Sequence, residues 1–120
     1  MNIEEYRDYC IGKTGVTESF PFDEDILVFK VFDKMFALAN TNGELRISLK
    51  CDPEKAIQLR EKHPEIIPGY HLSKKHWNTL DMTKGLDNKL IEELIDHSYQ
   101  LVFDSLPKKI REEAKNQLLK

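Results

Sequence analysis

The sequence predicts an α+β protein in which an antiparallel sheet of about five strands carries its helices on one face. Three strand-like runs follow one another at 26–31, 35–39 and 45–50. One helical segment begins at Asp52-Pro53, where a capping aspartate precedes proline, and a longer one begins at Asp87, where an apolar stripe of helical period follows. The predicted order is helix, three strands, helix, two strands and two helices, which suits a two-layer α+β architecture.

Length and composition favour one folded domain spanning residues 1–120. The chain has 120 residues, of which 40% are hydrophobic and 32% are charged. This length matches one domain, and the apolar fraction is sufficient for a packed core. We find neither internal repeats nor low-complexity tracts in the sequence.

The first third of the chain predicts one helix, a loop and a hairpin. Asn2 and Glu5 have the spacing of a capping box, so the first helix starts there and ends near Lys13. Turn formers and acidic residues fill 14–25, which predicts a loop. The runs 26–31 and 35–39 are rich in β-branched and aromatic residues, and the short separation between them favours a hairpin.

The middle third predicts a third strand, a short helix and two further strands. Residues 45–50 alternate between apolar and polar side chains, so Arg46, Ser48 and Lys50 are expected on a solvated face. Asp52-Pro53 starts a helix to about Lys62. Residues 66–67 and 76–80 are expected to be extended.

The last third predicts the main core helix and a more polar one. The helix that opens at Asp87 carries a long apolar stripe, on which Ile95 and Val102 are expected to be buried against the sheet. Pro107 permits a new helix through about Leu119.

Charge and cysteine usage favour a soluble cytoplasmic protein. The amino terminus lacks the features of a signal peptide, and no apolar run is long enough to span a membrane. Cys10 and Cys51 form no C-x-x-C pair and are interpreted as reduced packing residues. The formal net charge is −3, but residues 34–86 contain nine basic and six acidic side chains.

Catalytic and cofactor motifs are missing, so we predict no enzyme, no catalytic residue, no cofactor and no metal site. The phosphate-loop, dinucleotide, zinc-protease and serine-hydrolase signatures do not occur. His63, His71 and His76 have no metal-site spacing. Asp23–Asp25 lacks the spacing of a calcium loop and is interpreted as solvated.

Residues 45–77 form the segment most suggestive of function, because seven basic residues outnumber four acidic ones among three histidines and one tryptophan. Basic side chains beside an aromatic ring neutralise phosphates and stack on bases. The alternative is a solvated strand and helix with Trp77 in the core, and both interpretations fit the sequence. The basic residues are Arg46, Lys50, Lys55, Arg60, Lys62, Lys74 and Lys75.

Several segments resemble the MmcQ/YjbR family: FPFDED, VFKVFDKMFAL, SLKCDPEKAIQLREKHPEIIPGYHLSKKHWNTL and LIDHSYQLVFDSLPKKIRE. The stretch PGYHLSKKHWNT at 68–79 is the most specific of them. The resemblance implies a compact α+β fold similar to frataxin-like proteins and secretion chaperones. It also implies DNA binding through a double-wing arrangement of sheet and loops.

By position, the resemblance implies nucleic-acid contacts at Lys50 and at a basic-aromatic motif. That motif comprises Lys74, Lys75, His76 and Trp77, and the basic stretch adds Arg46. The sequence departs from the family pattern in two places: Asp33 stands where glycine is frequent, and Ser73 replaces a common asparagine. The added charge of Asp33 weakens the case that this hairpin approaches DNA.

The leading prediction is therefore a non-enzymatic DNA-binding protein of low sequence specificity. The alternative is a protein-interaction or chaperone-like module that uses the sheet face or the acidic loop. An exposed apolar patch favours this alternative, whereas a continuous basic patch favours DNA.

Overall fold

A computed structural model of the protein describes residues 1–70 and 72–118, with no description of the side chains at 117 and 118. His71 and the predicted helix end at Leu119 lie outside these residues. The elements are α1 (Ile3–Ile11), β1 (Val16–Ser19), β2 (Ile26–Val31), β3 (Lys34–Asn40), β4 (Arg46–Lys50), α2 (Pro53–Lys62), β5 (Ile66–Pro68), β6 (Trp77–Asp81), α3 (Asn88–Asp104) and α4 (Lys108–Leu118).

The strands form an antiparallel sheet in the order β1-β2-β3-β4-β6-β5. The α+β prediction is confirmed, but the sheet has six strands and not five. The extra strand is β1, in a segment predicted to be a loop, where Val16 pairs with Val31 and Ser19 with Val28. Tertiary pairing with β2 orders this four-residue strand, although turn-forming residues surround it in the sequence.

The β2–β3 hairpin has a two-residue turn and a bulge. Phe32 and Asp33 have positive φ angles of 45° and 71°, as a type I′ turn requires, and aspartate tolerates this conformation better than most residues. Farther along, Phe29 pairs with Ala37 and Lys30 with Met35, so Phe36 is an additional residue in β3. The bulge allows Phe36 and Ala37 both to be buried in the core.

The main core lies between one face of the sheet and helices α1 and α3. Ile95 and Val102 are buried there, which confirms the stripe predicted for α3. Tyr6 of α1 is also buried, and its hydroxyl donates to the carbonyl of Leu38 at 3.0 Å. The predicted capping box of α1 is present at Asn2.

Ser98 joins α3 to two adjacent strands. Its Oγ donates to the carbonyl of Phe36 at 2.5 Å and accepts from the backbone N–H of Lys50 at 2.9 Å. This is the small residue within the apolar stripe, and it is fully buried. The hydroxyl therefore satisfies one backbone acceptor and one backbone donor.

We expect Ser98→Ala to lower the free energy of unfolding by about 1–3 kcal/mol, because it leaves these backbone groups without their partner. Denaturant unfolding measures the change. Ser105→Ala is a useful control, since the Ser105 hydroxyl bonds, among the described residues, to the carbonyl of Val102 in the adjoining helix turn alone. Equal stability of the Ser98→Ala variant and the wild type would contradict the bridging role.

Candidate functional site

The residues predicted to contact nucleic acid lie on β4 and in the turn that precedes β6. Arg46 and Lys50 are the first and last residues of β4. Both lie on the face of the sheet opposite α3, which we call the open face, because Ile47 and Leu49 point into the main core. Lys74, Lys75 and His76 are exposed in the turn before β6.

Two contacts join the turn to the end of β4, and a third joins the turn to α2. The backbone N–H of Cys51 donates to the carbonyl of His76 at 2.8 Å, and Lys50 pairs with Trp77 across the strands. From α2, the Arg60 guanidinium donates to the carbonyl of Lys74 at 3.0 Å. We call this group the basic end; it comprises Lys50, Arg60, Lys74, Lys75 and His76.

The lysine and arginine side chains of the basic end keep their charge available. The ion pairs found among residues 1–70 and 72–118 involve Arg7, Lys13 and Lys108, and none includes a residue of the basic end. Nearby, His97 accepts a hydrogen bond from the Asp52 N–H at 3.2 Å. Burial lowers the pKa of His97, and Lys55 lowers it further against the opposing effect of Asp52, which favours the neutral imidazole.

Trp77 belongs to a second apolar cluster on the open face. Its side chain is 8% exposed and packs with Val28 and Leu38. Gly69 lies so close that a Cβ there would meet the Trp77 Cβ at 2.7 Å. This answers the question that the sequence left open: the indole is part of the packing, and a base cannot stack on it in this conformation.

A groove of about 350 Å³ crosses the open face beside this cluster. Two exposed aromatic side chains, Phe22 (63%) and Tyr70 (55%), lie at its rim. The other described lining residues are apolar or uncharged polar except for Arg46; they are Ile26, Leu38, Asn40, Ser48, Leu72 and Thr79. The described part of the lining therefore combines aromatic rings with one cation.

Polar contacts fix the floor of the groove. The hydroxyls of Ser48 and Thr79 share a hydrogen bond of 2.8 Å, and Thr79 Oγ1 accepts from the backbone N–H of Tyr70 at 3.1 Å. Ser48 is buried, so the prediction of a fully solvated polar face on β4 is wrong at this position. Tyr70 and Leu72 line the same groove as Ser48.

A second concavity, also of about 350 Å³, adjoins the groove. Arg46 and Thr79 line both. The second concavity carries charges of both signs, with Lys84 and Arg46 near Glu65 and Asp81. Hydrogen bonds from Thr83 lower the pKa of Asp81, which therefore stays ionised at neutral pH.

The sequence interpretation missed Phe22 and Tyr70. Both lie in segments that resemble the family, FPFDED and PGYHLSKKHWNT, but the sequence prediction names the lysines and Trp77 instead. The signal that identifies them is an aromatic residue placed directly after Pro21 or Gly69. Such loop residues lie on the surface, and it is the grouping of two exposed aromatic side chains at one groove that is informative.

The structure also places the other residues considered for chemistry. Cys10 and Cys51 are buried as expected, and burial raises the pKa of the Cys10 thiol to about 12. Asp23 Oδ1 accepts from the N–H groups of Asp25 and Ile26 and so shapes the exposed acidic loop. No three potential ligands among the described residues cluster as a metal site would require.

Comparison with known proteins decides the family. The sequence model of the YjbR family matches residues 11–101. The chain belongs to the YjbR family. The uncharacterised protein YjbR of Escherichia coli K12 is 36% identical over 112 residues, covering 92% of this chain and 95% of that protein. The uncharacterised protein YbdF of E. coli O157:H7 is 37% identical over 91 residues, covering 75% of each chain.

Solved structures of YjbR-like proteins share the fold. The crystal structure of Deinococcus radiodurans protein DR2400 is 41% identical, with a TM-score of 0.88, and covers 95% of this chain and 88% of that one. A crystal structure from Pseudomonas syringae is 34% identical, with a TM-score of 0.74, and covers 84% of this chain and 98% of that one. Within the described part of this YjbR domain, every helix is too short or too polar to cross a membrane.

Proposed function

We propose that this YjbR domain is a non-enzymatic, cytoplasmic protein that binds DNA with low sequence specificity through the basic end and Arg46. The observation that carries the proposal is the convergence of cations from β4, α2 and the turn before β6, none of which is in an ion pair among the described residues. Lysine and arginine side chains of this kind bind phosphates without reading sequence.

The spacing of the cations supports contact with a phosphate backbone. Arg46 and Lys50 lie on the same face of β4, four residues apart, which corresponds to about 13 Å along a strand. Lys74 and Lys75 extend the charge beyond the end of β4. The surface thus offers cations over a length that spans several phosphates.

The net charge of −3 restricts the strength of this binding. Because the chain as a whole does not attract DNA over long distances, the local cations must supply the affinity. Non-specific complexes have dissociation constants of about 10⁻⁴ to 10⁻⁶ M, and we expect this range.

Replacing both Lys74 and Lys75 by alanine should weaken DNA binding and its salt dependence. If about three phosphates are contacted, a plot of the logarithm of affinity against the logarithm of salt concentration has a slope of about −3. In the double variant the magnitude of this slope should be smaller by up to about 2. Fluorescence anisotropy with a labelled duplex at several salt concentrations measures both values.

Lys89→Ala is the matched control, because Lys89 is an exposed lysine on α3, the helix that packs against the opposite face of the sheet. This variant should keep the wild-type slope. Absence of wild-type binding to any DNA at low salt would contradict the proposed function, as would equal slopes for the wild type and the Lys74/Lys75 variant.

A protein partner is the second candidate function, because large apolar side chains are exposed around the open face. Phe22, Ile67 and Tyr70 are each more than 40% exposed and line the two concavities of this face. Clustered exposed aromatic residues are typical of protein interaction sites. The basic end does not require such a surface, so the two candidate functions depend on different residues.

A further inference from the structure

The groove on the open face has features that the basic end does not explain. Among its described lining residues Arg46 is the only charged one, and its guanidinium makes neither a hydrogen bond nor an ion pair with any described residue. A planar guanidinium in this position binds a phosphate or carboxylate through two parallel hydrogen bonds. The groove therefore suits a ligand that carries an anionic group.

The rim of the groove suits a planar ring. Phe22 and Tyr70 are exposed there, and Leu38 and Leu72 contribute apolar surface between them. The Tyr70 backbone is held by Thr79, and the chain after Phe22 is held by the side-chain turn of Asp23. Hydrogen bonds thus hold the backbone beside each ring, to the sheet for Tyr70 and within the loop for Phe22. Because the backbone is already ordered, placing the two rings against a ligand has a reduced entropic cost.

We infer that this groove binds an unpaired nucleotide of single-stranded DNA, with the base against Phe22 and Tyr70 and a phosphate on Arg46. A nucleotide joins a flat aromatic ring to an anion, which matches the lining in both shape and charge. The volume lies at the lower end of the roughly 300–1,000 Å³ of small-molecule sites. A base within a duplex has its faces covered by its neighbours, so only an unpaired base can enter.

This inference rests on the proposed DNA binding and adds a preference for single strands to it. The basic end holds the backbone of either form of DNA, whereas the groove distinguishes between them. Lys50 lies on the same β-strand and the same face of the sheet as Arg46. A DNA strand with one base in the groove therefore continues toward the basic end. Arg46 at the groove and Lys50 at the basic end thus offer two cations on one face of β4.

The test compares single-stranded and duplex DNA by fluorescence anisotropy, using an oligothymidine of about 12 nucleotides, within the length that one small domain covers. The wild type should bind the single strand more tightly than a duplex of the same length. Phe22→Ala/Tyr70→Ala should weaken single-strand binding about 5- to 150-fold and leave duplex binding and the salt slope unchanged. Arg46→Gln should reduce the single-strand salt slope by up to about 1.

Ile57→Ala is the matched control for the rim, because Ile57 is a 49% exposed apolar residue on α2, away from the groove. It should leave both affinities unchanged. Since the substituted rim residues are exposed, the variants should fold, and circular dichroism melts verify this. Thymidine monophosphate as a free ligand provides a further arm of the experiment.

The outcomes separate this inference from the proposed function. One outcome is that both DNA forms bind equally, that the Lys74/Lys75 substitutions weaken this binding and that the rim substitutions leave it unchanged. This outcome would overturn the inference and retain the proposed function. Binding of thymidine monophosphate without binding of the strand would overturn both and identify a small-molecule site. No binding of any nucleotide would overturn both and favour a protein partner for the open face.

Discussion

Replacing Ile95 with alanine should lower the free energy of unfolding by about 2–5 kcal/mol. Ile95 is fully buried at the interface between α3 and the sheet. Its truncation removes apolar contacts and leaves a cavity that the surrounding strands fill only in part. Denaturant unfolding followed by circular dichroism gives the value.

The exposed Ile57 provides a control of the same residue type. Ile57→Ala should change the free energy of unfolding by less than about 0.5 kcal/mol, since surface substitutions remove little packing. A loss below about 0.5 kcal/mol for Ile95→Ala as well would show that α3 does not pack on the sheet through this stripe.

Replacing Trp77 with alanine should lower the free energy of unfolding by about 3–5 kcal/mol. The indole is the largest member of the second cluster and contacts the apolar residues of β2 and β3 that lie on the open face. Trp77→Phe keeps an aromatic ring and should recover part of the loss, because it leaves a smaller cavity. A thermal melt of each variant ranks the three proteins.

The opposite outcome has a clear signature. If Trp77 stacks on bases, Trp77→Ala loses affinity for single strands by about 1–3 kcal/mol while its melting temperature stays that of the wild type. An unchanged melting temperature with lost single-strand affinity would therefore contradict the packing role.

Local sequence signals predicted most of the elements because the responsible interactions are close in the chain. The capping box of Asn2 and Glu5 and the Asp52-Pro53 start of α2 depend on neighbouring residues alone. The stripe of α3 is a periodic signal long enough to identify its buried side. In contrast, β1 is a strand because β2 lies beside it, and a short edge strand has a weak signal of its own.

The candidate site was predictable in part. The lysines were identified because a cluster of charge is visible in sequence, and the structure places Lys74 and Lys75 near the end of β4 through Cys51 and His76. The burial of Trp77 was not predictable, since an aromatic residue on a strand fits either face. The groove depends on two loops, those of Phe22 and Tyr70, that are far apart in sequence and meet only in the folded sheet.

The short outer strands bear on how the protein behaves at high concentration. β1 has four residues, and β5 has three and ends in Pro68, which lacks an N–H. Amyloid-like assembly grows by adding chains to a long, flat edge with free donors and acceptors, and short or proline-containing edges resist it. This protein can therefore expose aromatic side chains in the loops beside its sheet without offering a long edge as a template for fibril growth.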